Sequence, residues 1–378
     1  MRDYKGINQS DSAVVNRSRV LRIINEYKSI TRIKLSELTG LRTSTITYII
    51  SDLKNNKFIT EKVSKKRNGK KGAPTSILSI DKNYNYVIGV DVKYNYFRIL
   101  IMNLAGDIIK SIEKNLSLDN FDDLLEELIN EILNIKNKYR DKRFLGIGIG
   151  IPGVINSREK KILISSVFNI KNYDIGKKLS QSLDLPVYLD NNANLVAYNY
   201  YFFNYKNKFK NLISIFYQYN NIKKHNYIGI GIGLILNGDI YYGEHYSSGE
   251  INDIISKNTN HIINFNTELF DILNSKGNEN DKNIILEFGN IMGSVISNLI
   301  NILNPGVVLN ISDFRDKSKL LFPSILKSIN KNVLPFIKES ITIISAEEEQ
   351  KSVAIGGCAL VIDKFYREYN IEKYLIKN

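Results

Sequence analysis

Two stretches of this 378-residue chain set glycine between branched apolar residues: Leu145–Ile155 (LGIGIGIPGVI) and Tyr227–Gly238 (YIGIGIGLILNG). Runs this short and this apolar read as buried strands. The first enters a Gly/Pro loop and the second forms one side of a hairpin. Val87–Asp91 (VIGVD) and Phe97–Asn103 (FRILIMN) also read as strands, and Leu185–Asn194 (LPVYLDNNAN) as a strand ending in a polar loop. Helical patterns occupy Phe121–Tyr139 and Ile284–Leu303, the second closed by Asn304-Pro305-Gly306. Ser247–Glu250 (SSGE) follows a turn. Strands alternating with helices imply an α/β body over residues 83–378.

Residues 1–82 read differently. Residues 1–80 hold 17 Lys+Arg against 6 Asp+Glu, whereas the remainder holds 35 against 33. A positive excess confined to one end points to a polyanion partner for that end. Asn16–Lys28 reads as a helix, and Thr31 as the N-cap of a second, short helix closed by Gly40. In Arg42–Lys54, Ile46, Ile49, Ile50 and Leu53 fall at i, i+3, i+4 and i+7, one buried stripe. The opposite face carries Arg42, Thr43, Ser44, Thr47, Tyr48 and Ser51. Small side chains let a helix approach a major groove closely, hydroxyls bond phosphates and base edges, and Arg reads guanine. Phe58–Val63 and Ser76–Ile80 read as two strands joined by a tip that carries Lys65, Lys66, Arg67, Lys70 and Lys71. The order implies a winged helix-turn-helix whose wing lies along phosphates of double-stranded DNA. The plainer alternative is a three-helix bundle with a basic linker.

Bulk features set the outer bounds. A 43% apolar fraction with 16 Phe and 23 Tyr marks a folded chain. A single cysteine, Cys358, leaves no disulfide framework and no multi-cysteine zinc site. The first residues lack the apolar core of a secretion signal, and no run of 18 uncharged apolar residues marks a membrane span, so a cytoplasmic protein is expected. His225, His245 and His261 have no ligand-like spacing, and no metal is expected.

Together these segments resemble the ROK family (repressor, open reading frame, kinase) over essentially the whole chain. The head phrase from Asn16 to Ile59 is similar to that of the family's repressors, of the xylose and N-acetylglucosamine kind, which the kinase members lack. The resemblance implies a two-lobed actin/hexokinase-like body with a sugar cleft between the lobes. It also implies an oligomer, a dimer or a dimer of dimers.

This chain departs from the family pattern where phosphoryl transfer would occur. The Asp-x-Gly-Gly-Thr phosphate loop reads Asp91-Val92-Lys93-Tyr94-Asn95. The second phosphate loop, Gly-Thr-Gly-Ile-Gly in the family, reads Tyr227-Ile228-Gly229-Ile230-Gly231. The nucleoside-side Gly-Gly is Asn310-Ile311, and the general-base Asp is Asn192, a neutral amide that cannot accept a proton. The family's zinc signature is absent, and its Gly-Glu-x-Gly-His reads Gly249-Glu250-Ile251-Asn252-Asp253. Without zinc, Asp253–Phe270 is expected to pack through its own apolar residues. Asn191 and Glu250 match the family's sugar-holding positions, and Asn192 and Asp253 are polar replacements able to bond hydroxyls.

The expectation is therefore a DNA-binding regulator of carbohydrate-utilisation genes, a repressor, without catalytic residues or cofactor. A symmetric dimer would bind an inverted repeat and sense a small sugar. Two alternatives stand beside it: an active ATP-dependent sugar kinase with a DNA-binding head, and a regulator whose Asn191 and Glu250 are relics with no ligand.

Overall fold

The computed structural model describes residues 9–63, 76–118, 120–222, 225–251, 279–312, 318–347 and 351–367. The head runs α1 (Gln9–Tyr27), β1 (Ile30–Thr31), α2 (Arg32–Thr39), α3 (Thr43–Asn55), β2 (Ile59–Val63) and β3 (Ser76–Ile80). Its three strands pair antiparallel in the order β1-β3-β2. Thr31 caps α2, its hydroxyl accepting from the Lys34 N–H at 3.2 Å, and Gly40 ends the helix at φ 71°. That left-handed turn is one glycine adopts without a Cβ clash. Helix α1 starts seven residues before the Asn16 that the sequence pattern suggested.

The body continues with β4 (Asn85–Lys93), β5 (Tyr96–Asn103), β6 (Ile108–Asn115), α4 (Phe121–Lys138), β7 (Arg143–Ile151), β8 (Val154–Asn156), β9 (Lys161–Ser165) and β10 (Ile170–Tyr173). Then come α5 (Ile175–Leu183), β11 (Val187–Asn191), α6 (Asn192–Tyr200), β12 (Leu212–Ile222), β13 (His225–Leu236) and β14 (Asp239–Ile240). The last elements are α7 (Glu279–Leu303), β15 (Val307–Ser312), α8 (Ser318–Asn332), α9 (Pro335–Lys338), β16 (Thr342–Glu347) and α10 (Ser352–Arg367). Two five-stranded mixed sheets result, ordered β11-β7-β4-β5-β6 and β14-β13-β12-β15-β16. Residues 192–194 open α6 rather than a polar loop. The Asn191 side chain accepts from the Ala193 N–H at 2.7 Å and so caps that helix.

The glycine-spaced strands explain how the layers meet. Isoleucines 147, 149 and 151 of β7 face α4 and α5, and their glycine neighbours face α10. A Cβ on Gly148 would collide with the Gly357 carbonyl, so helix and sheet are in backbone contact. In the second sheet, Gly233 of β13 lies equally close to Ala193 of α6. Helices α6 and α10, touching at Gly356 and Leu195, thus fill the space between the sheets, with α4 and α5 outside one sheet and α7 and α8 outside the other. Lys282–Leu303 is long and apolar enough to cross a membrane by length and composition. Its Phe288, Met292, Ile296 and Ile300 are instead buried within the second lobe.

The head is not tethered loosely. Its core residues belong to one apolar cluster with α6 and α10. Phe58 stacks on Phe365 with ring centroids 5.5 Å apart, and the Arg143 guanidinium lies 5.3 Å from the Phe58 centroid. The Asn85 amide donates to the Lys57 carbonyl at 2.6 Å, and Arg143 to that of Asn56 at 3.3 Å.

Candidate functional site: an exposed helix face and an interlobe cleft

On α3, Ile46, Ile49, Ile50 and Leu53 are buried, and Arg42, Thr43, Ser44, Thr47, Tyr48 and Ser51 are all exposed. Tyr48 is 65% exposed, a high value for an aromatic side chain. The Thr47 hydroxyl donates to the Thr43 carbonyl at 2.9 Å, which leaves its lone pairs facing outward. Helices α2 and α3 are fixed from beneath. Arg17 pairs with Asp52 at 2.6 Å, and Arg32 grips Glu61 with two bonds of 2.9 and 3.0 Å. Lys54 adds a third contact to Glu61 at 2.6 Å, and the Arg32 bonds foremost hold the Glu61 carboxyl down at about 2. The expected wing cations Lys65, Lys66, Arg67, Lys70 and Lys71 lie outside the described residues.

Between the two sheets opens a cleft of about 190 Å³. Asn191, Asn192 and Glu250 line it, together with Gly153, Phe216 and Gln218. Glu250 is the one charged side chain among the described lining residues. A bridge to Gly231 and the Ile232 N–H donating to the Gly249 carbonyl at 3.1 Å hold it against β13. Its surface reaches solvent, yet the surrounding walls push its carboxyl upward. Asn191 is largely committed: besides capping α6, it donates to the Gly153 carbonyl at 2.7 Å and reaches Glu250 Oε1 at 3.5 Å. Asn192 is 3% exposed, and neither its amide nitrogen nor its oxygen has a partner among the described residues. Asp253 lies outside the described residues, as do His261 and the segment expected to replace a zinc loop.

Pairing register sets a polar row across the floor of the first sheet. Asp190, Gly150, Asp91, Arg98 and Glu113 stand side by side on its five strands. Arg98 donates to Glu113 at 3.1 Å. Asp91 is fully buried, its oxygens have no hydrogen-bond partner among the described residues, and the Lys93 ammonium is 3.9 Å away. Burial drives its carboxyl upward against the pull of Lys93 and Arg98. Asp190, also buried, accepts from the Tyr242 hydroxyl at 2.7 Å, the Asn194 amide at 2.8 Å and the Asn191 N–H at 2.8 Å. Burial outweighs these donors and raises it to about 6. The Tyr242–Asp190 and Arg98–Glu113 pairs escape sequence reasoning because their members lie 52 and 15 residues apart in the chain.

Lys93 pairs with Tyr96 across a hairpin turn at Tyr94-Asn95, and Asn95 accepts from the Leu116 N–H through its carbonyl and the Leu118 N–H through its side chain. Ile228 and Ile311 are buried apolar side chains. Asn310 is buried with no partner for its amide among the described residues. His245 is exposed, and the described residues contain no His/Cys/Asp/Glu group suited to a metal.

Residues 87–268 match the ROK family. The chain is 25% identical to the xylose repressor of Caldicellulosiruptor bescii, covering 92% of this chain and 95% of that protein. It is also 25% identical to the xylose repressor of Bacillus subtilis, with 93% and 96% covered. Against the DNA-binding transcriptional dual regulator NagC of Escherichia coli the identity is 22%, with 92% of each covered. Among solved structures, a ROK family transcriptional regulator, homologous to the Escherichia coli Mlc protein, superposes with a TM-score of 0.75 at 20% identity, covering 96% of this chain and 99% of that one. A Streptomyces griseus glucokinase holding glucose and AMPPNP superposes at 0.54 and 15% identity, with 98% of its length matched but only 73% of this chain. These likenesses establish the mixed α/β, actin/hexokinase-like fold of the body.

Proposed function

We propose, from the match of residues 87–268 to the ROK family, that the chain is a sugar-responsive transcriptional repressor without kinase activity. Residues 1–82 act as a winged helix-turn-helix and residues 83–378 as the effector and dimerisation unit. The observation that carries the reading is α3: six exposed side chains suited to a groove stand above a wholly buried stripe, in the segment that holds most of the chain's net positive charge. In a symmetric dimer two such helices match an inverted repeat of double-stranded DNA, with Arg42, Thr43, Ser44, Thr47, Tyr48 and Ser51 toward bases and phosphates. Lys65, Lys66, Arg67, Lys70 and Lys71 neutralise flanking phosphates. Such a protein works beside the chromosome, in the cytoplasm of a bacterial cell like those of its relatives.

The cleft suits an uncharged polyol. Its one described charge is the Glu250 carboxylate, which bonds vicinal hydroxyls and repels phosphate or carboxylate groups. Asn192, and Asp253 with it, take the remaining hydroxyls. The case against catalysis rests on Asn192, which has no basicity to deprotonate a sugar hydroxyl. It rests equally on the turn between Lys93 and Tyr96, whose Tyr94 and Asn95 offer neither the glycines nor the threonine of a phosphate loop. Linkage supplies the mechanism: a sugar preferring one lobe arrangement shifts the head through α10, and so changes operator affinity. Helix α10 runs from Val353, beside Gly150 and the cleft, to Phe365 beneath the head.

The test pairs two assays on the full chain. Selection from a random duplex library should return an inverted repeat, and ADP release over a panel of pentoses and hexoses should stay at background. Sugar-dependent ADP release that Asp91→Ala abolishes would make the chain a kinase instead.

A further inference from the structure

A second cavity, of about 110 Å³, lies where the head meets the body. The end of α1 forms one wall, with Asn25, Glu26 and Lys28. The turn Leu104–Gly106 and the π-helical turn Tyr201–Tyr205, which continues α6, form the others. In that wide turn the Lys206 N–H donates to the Tyr201 carbonyl at 2.8 Å, five residues back. The turn brings the Lys206 ammonium 3.9 Å from the centroid of Phe202. Lys28, at φ 58°, turns back off the end of α1 and lines the same cavity from the head side.

Neither ammonium has an ion-pair partner within 4 Å among the described residues, though that of Lys28 donates to Asn25 Oδ1 at 3.5 Å. The carboxylates nearby are engaged elsewhere. Asp107 holds Lys82 at 2.9 Å and accepts from Asn103 at 3.0 Å, and Asp363 holds Arg367 at 2.7 Å and accepts from Tyr198 at 2.6 Å. Glu26, in the cavity wall, lies 3.8 Å from Arg22. Burial lowers both lysines, against the pull of Asp107 on Lys28 and of Asp363 and Glu26 on Lys206; Lys82 and Lys28 add smaller repulsions. Lys206 is half-buried and Lys28 exposed, and an anion entering the cavity they both line would meet two cations that no carboxylate within 4 Å neutralises among the described residues.

We propose that this junction cavity binds a compact phosphate-bearing anion, clamped between Lys28 of the head and Lys206 of the body, with the Asn25 amide as a further donor. The ligand differs in charge from the polyol suited to the interlobe cleft. It bridges the two parts whose relative placement decides how the helix faces of a dimer meet DNA. The binding itself does not rest on the regulatory reading; only that last consequence does.

Titration calorimetry of the full chain with inorganic phosphate, in a buffer free of other polyvalent anions, tests the site. Saturable binding is expected, weakened about tenfold or more in Lys206→Met and in Lys28→Met, and largely kept in Lys206→Arg. Each variant's thermal unfolding, measured without phosphate, separates lost binding from lost folding. Glycerol 3-phosphate in a parallel titration distinguishes the source: tighter binding than inorganic phosphate assigns the cavity to a phosphate ester, equal binding to the free ion. No saturable heat from the wild-type chain, or equal affinity in both methionine variants, overturns the proposal. DNA binding by Lys206→Met in phosphate-free buffer should match wild type, so its loss there would count against a ligand role and not against the repressor reading.

Discussion

The head and the interlobe cleft treat buried polar groups in opposite ways. In the head, Thr31 caps α2, the Thr39 hydroxyl donates to Leu35, and Asn56 returns its amide to Asp52, with Ser18 the unpartnered exception among the described residues. Its working groups stand outside, on α3. Around the cleft, the Asp91 and Asn192 side chains sit beneath the surface with no hydrogen-bond partner among the described residues, and Asn310 does the same at the far sheet. A buried polar group left unpaired costs about 1–3 kcal/mol. A surface built to meet DNA can be finished before its partner arrives. A cleft that must answer to a ligand keeps part of its bonding capacity unspent.

The contrast can be broken most sharply from the head. Ile50 is fully buried in the α3 stripe. Ile50→Ala should cost about 2–5 kcal/mol in urea unfolding. A loss under 1 kcal/mol would mean that α3 is not seated on a core, and that its outer face is not held for anything.

The next effect belongs to the cleft and depends on pH. Asp190 is raised to about 6 when folded. A carboxyl that binds its proton more tightly in the native state makes folding take up a proton between about pH 4 and 6. Stability from this group is greatest below pH 4, falls as pH rises to 6, and is level above. The drop is on the order of 2–3 kcal/mol. Urea midpoints at pH 4, 5, 6 and 7 should show wild type losing ground relative to Asp190→Asn by that amount. Parallel curves would mean that the Tyr242 and Asn194 bonds fully compensate for burial.

Arg42 and Glu250 cross the two regions. Arg42→Ala should weaken the selected operator by about 1–3 kcal/mol, leave random DNA nearly unchanged, and spare the sugar response. Glu250→Ala should weaken the sugar response by about 1–3 kcal/mol and spare operator affinity in its absence. If both variants lose the same function, the division of labour is wrong.

The smallest effect has an unusual sign. Asp91→Leu should stabilise the chain by about 1–2 kcal/mol, because an apolar side chain of similar size removes an unmet bonding demand. Destabilisation in thermal unfolding would show that Asp91 has a partner, such as an ordered water, that keeps it in place.

Much of this was legible in the chain because it is local. The stripe Ile46, Ile49, Ile50 and Leu53 and the caps Thr31 and Gly40 follow from spacing within a dozen residues, and all took the expected places. The strands around Gly148 and Gly231 were legible too, though not the reason for their glycines, which is an α-helix more than a hundred residues away or, at β13, the face of α6. Helix α6 was missed because LDNNAN looks like a polar loop until Asn191 is seen capping the apolar run behind it. The polar row was illegible for a simpler reason: Asp190, Asp91, Arg98 and Glu113 become neighbours only through strand register.

The single apolar cluster that runs from α1 through Phe58 to Phe365 and Tyr366 makes the head a poor candidate for transplantation. Cut after residue 82, it would carry Phe58 on a raw face, and the remainder would expose the end of α10. Chimeras joining this head to another effector body, or this body to another reader of DNA, need the matching surface of α10 grafted along with them. The exchangeable part is the α3 face alone: six outward residues that can be rewritten without disturbing what lies beneath.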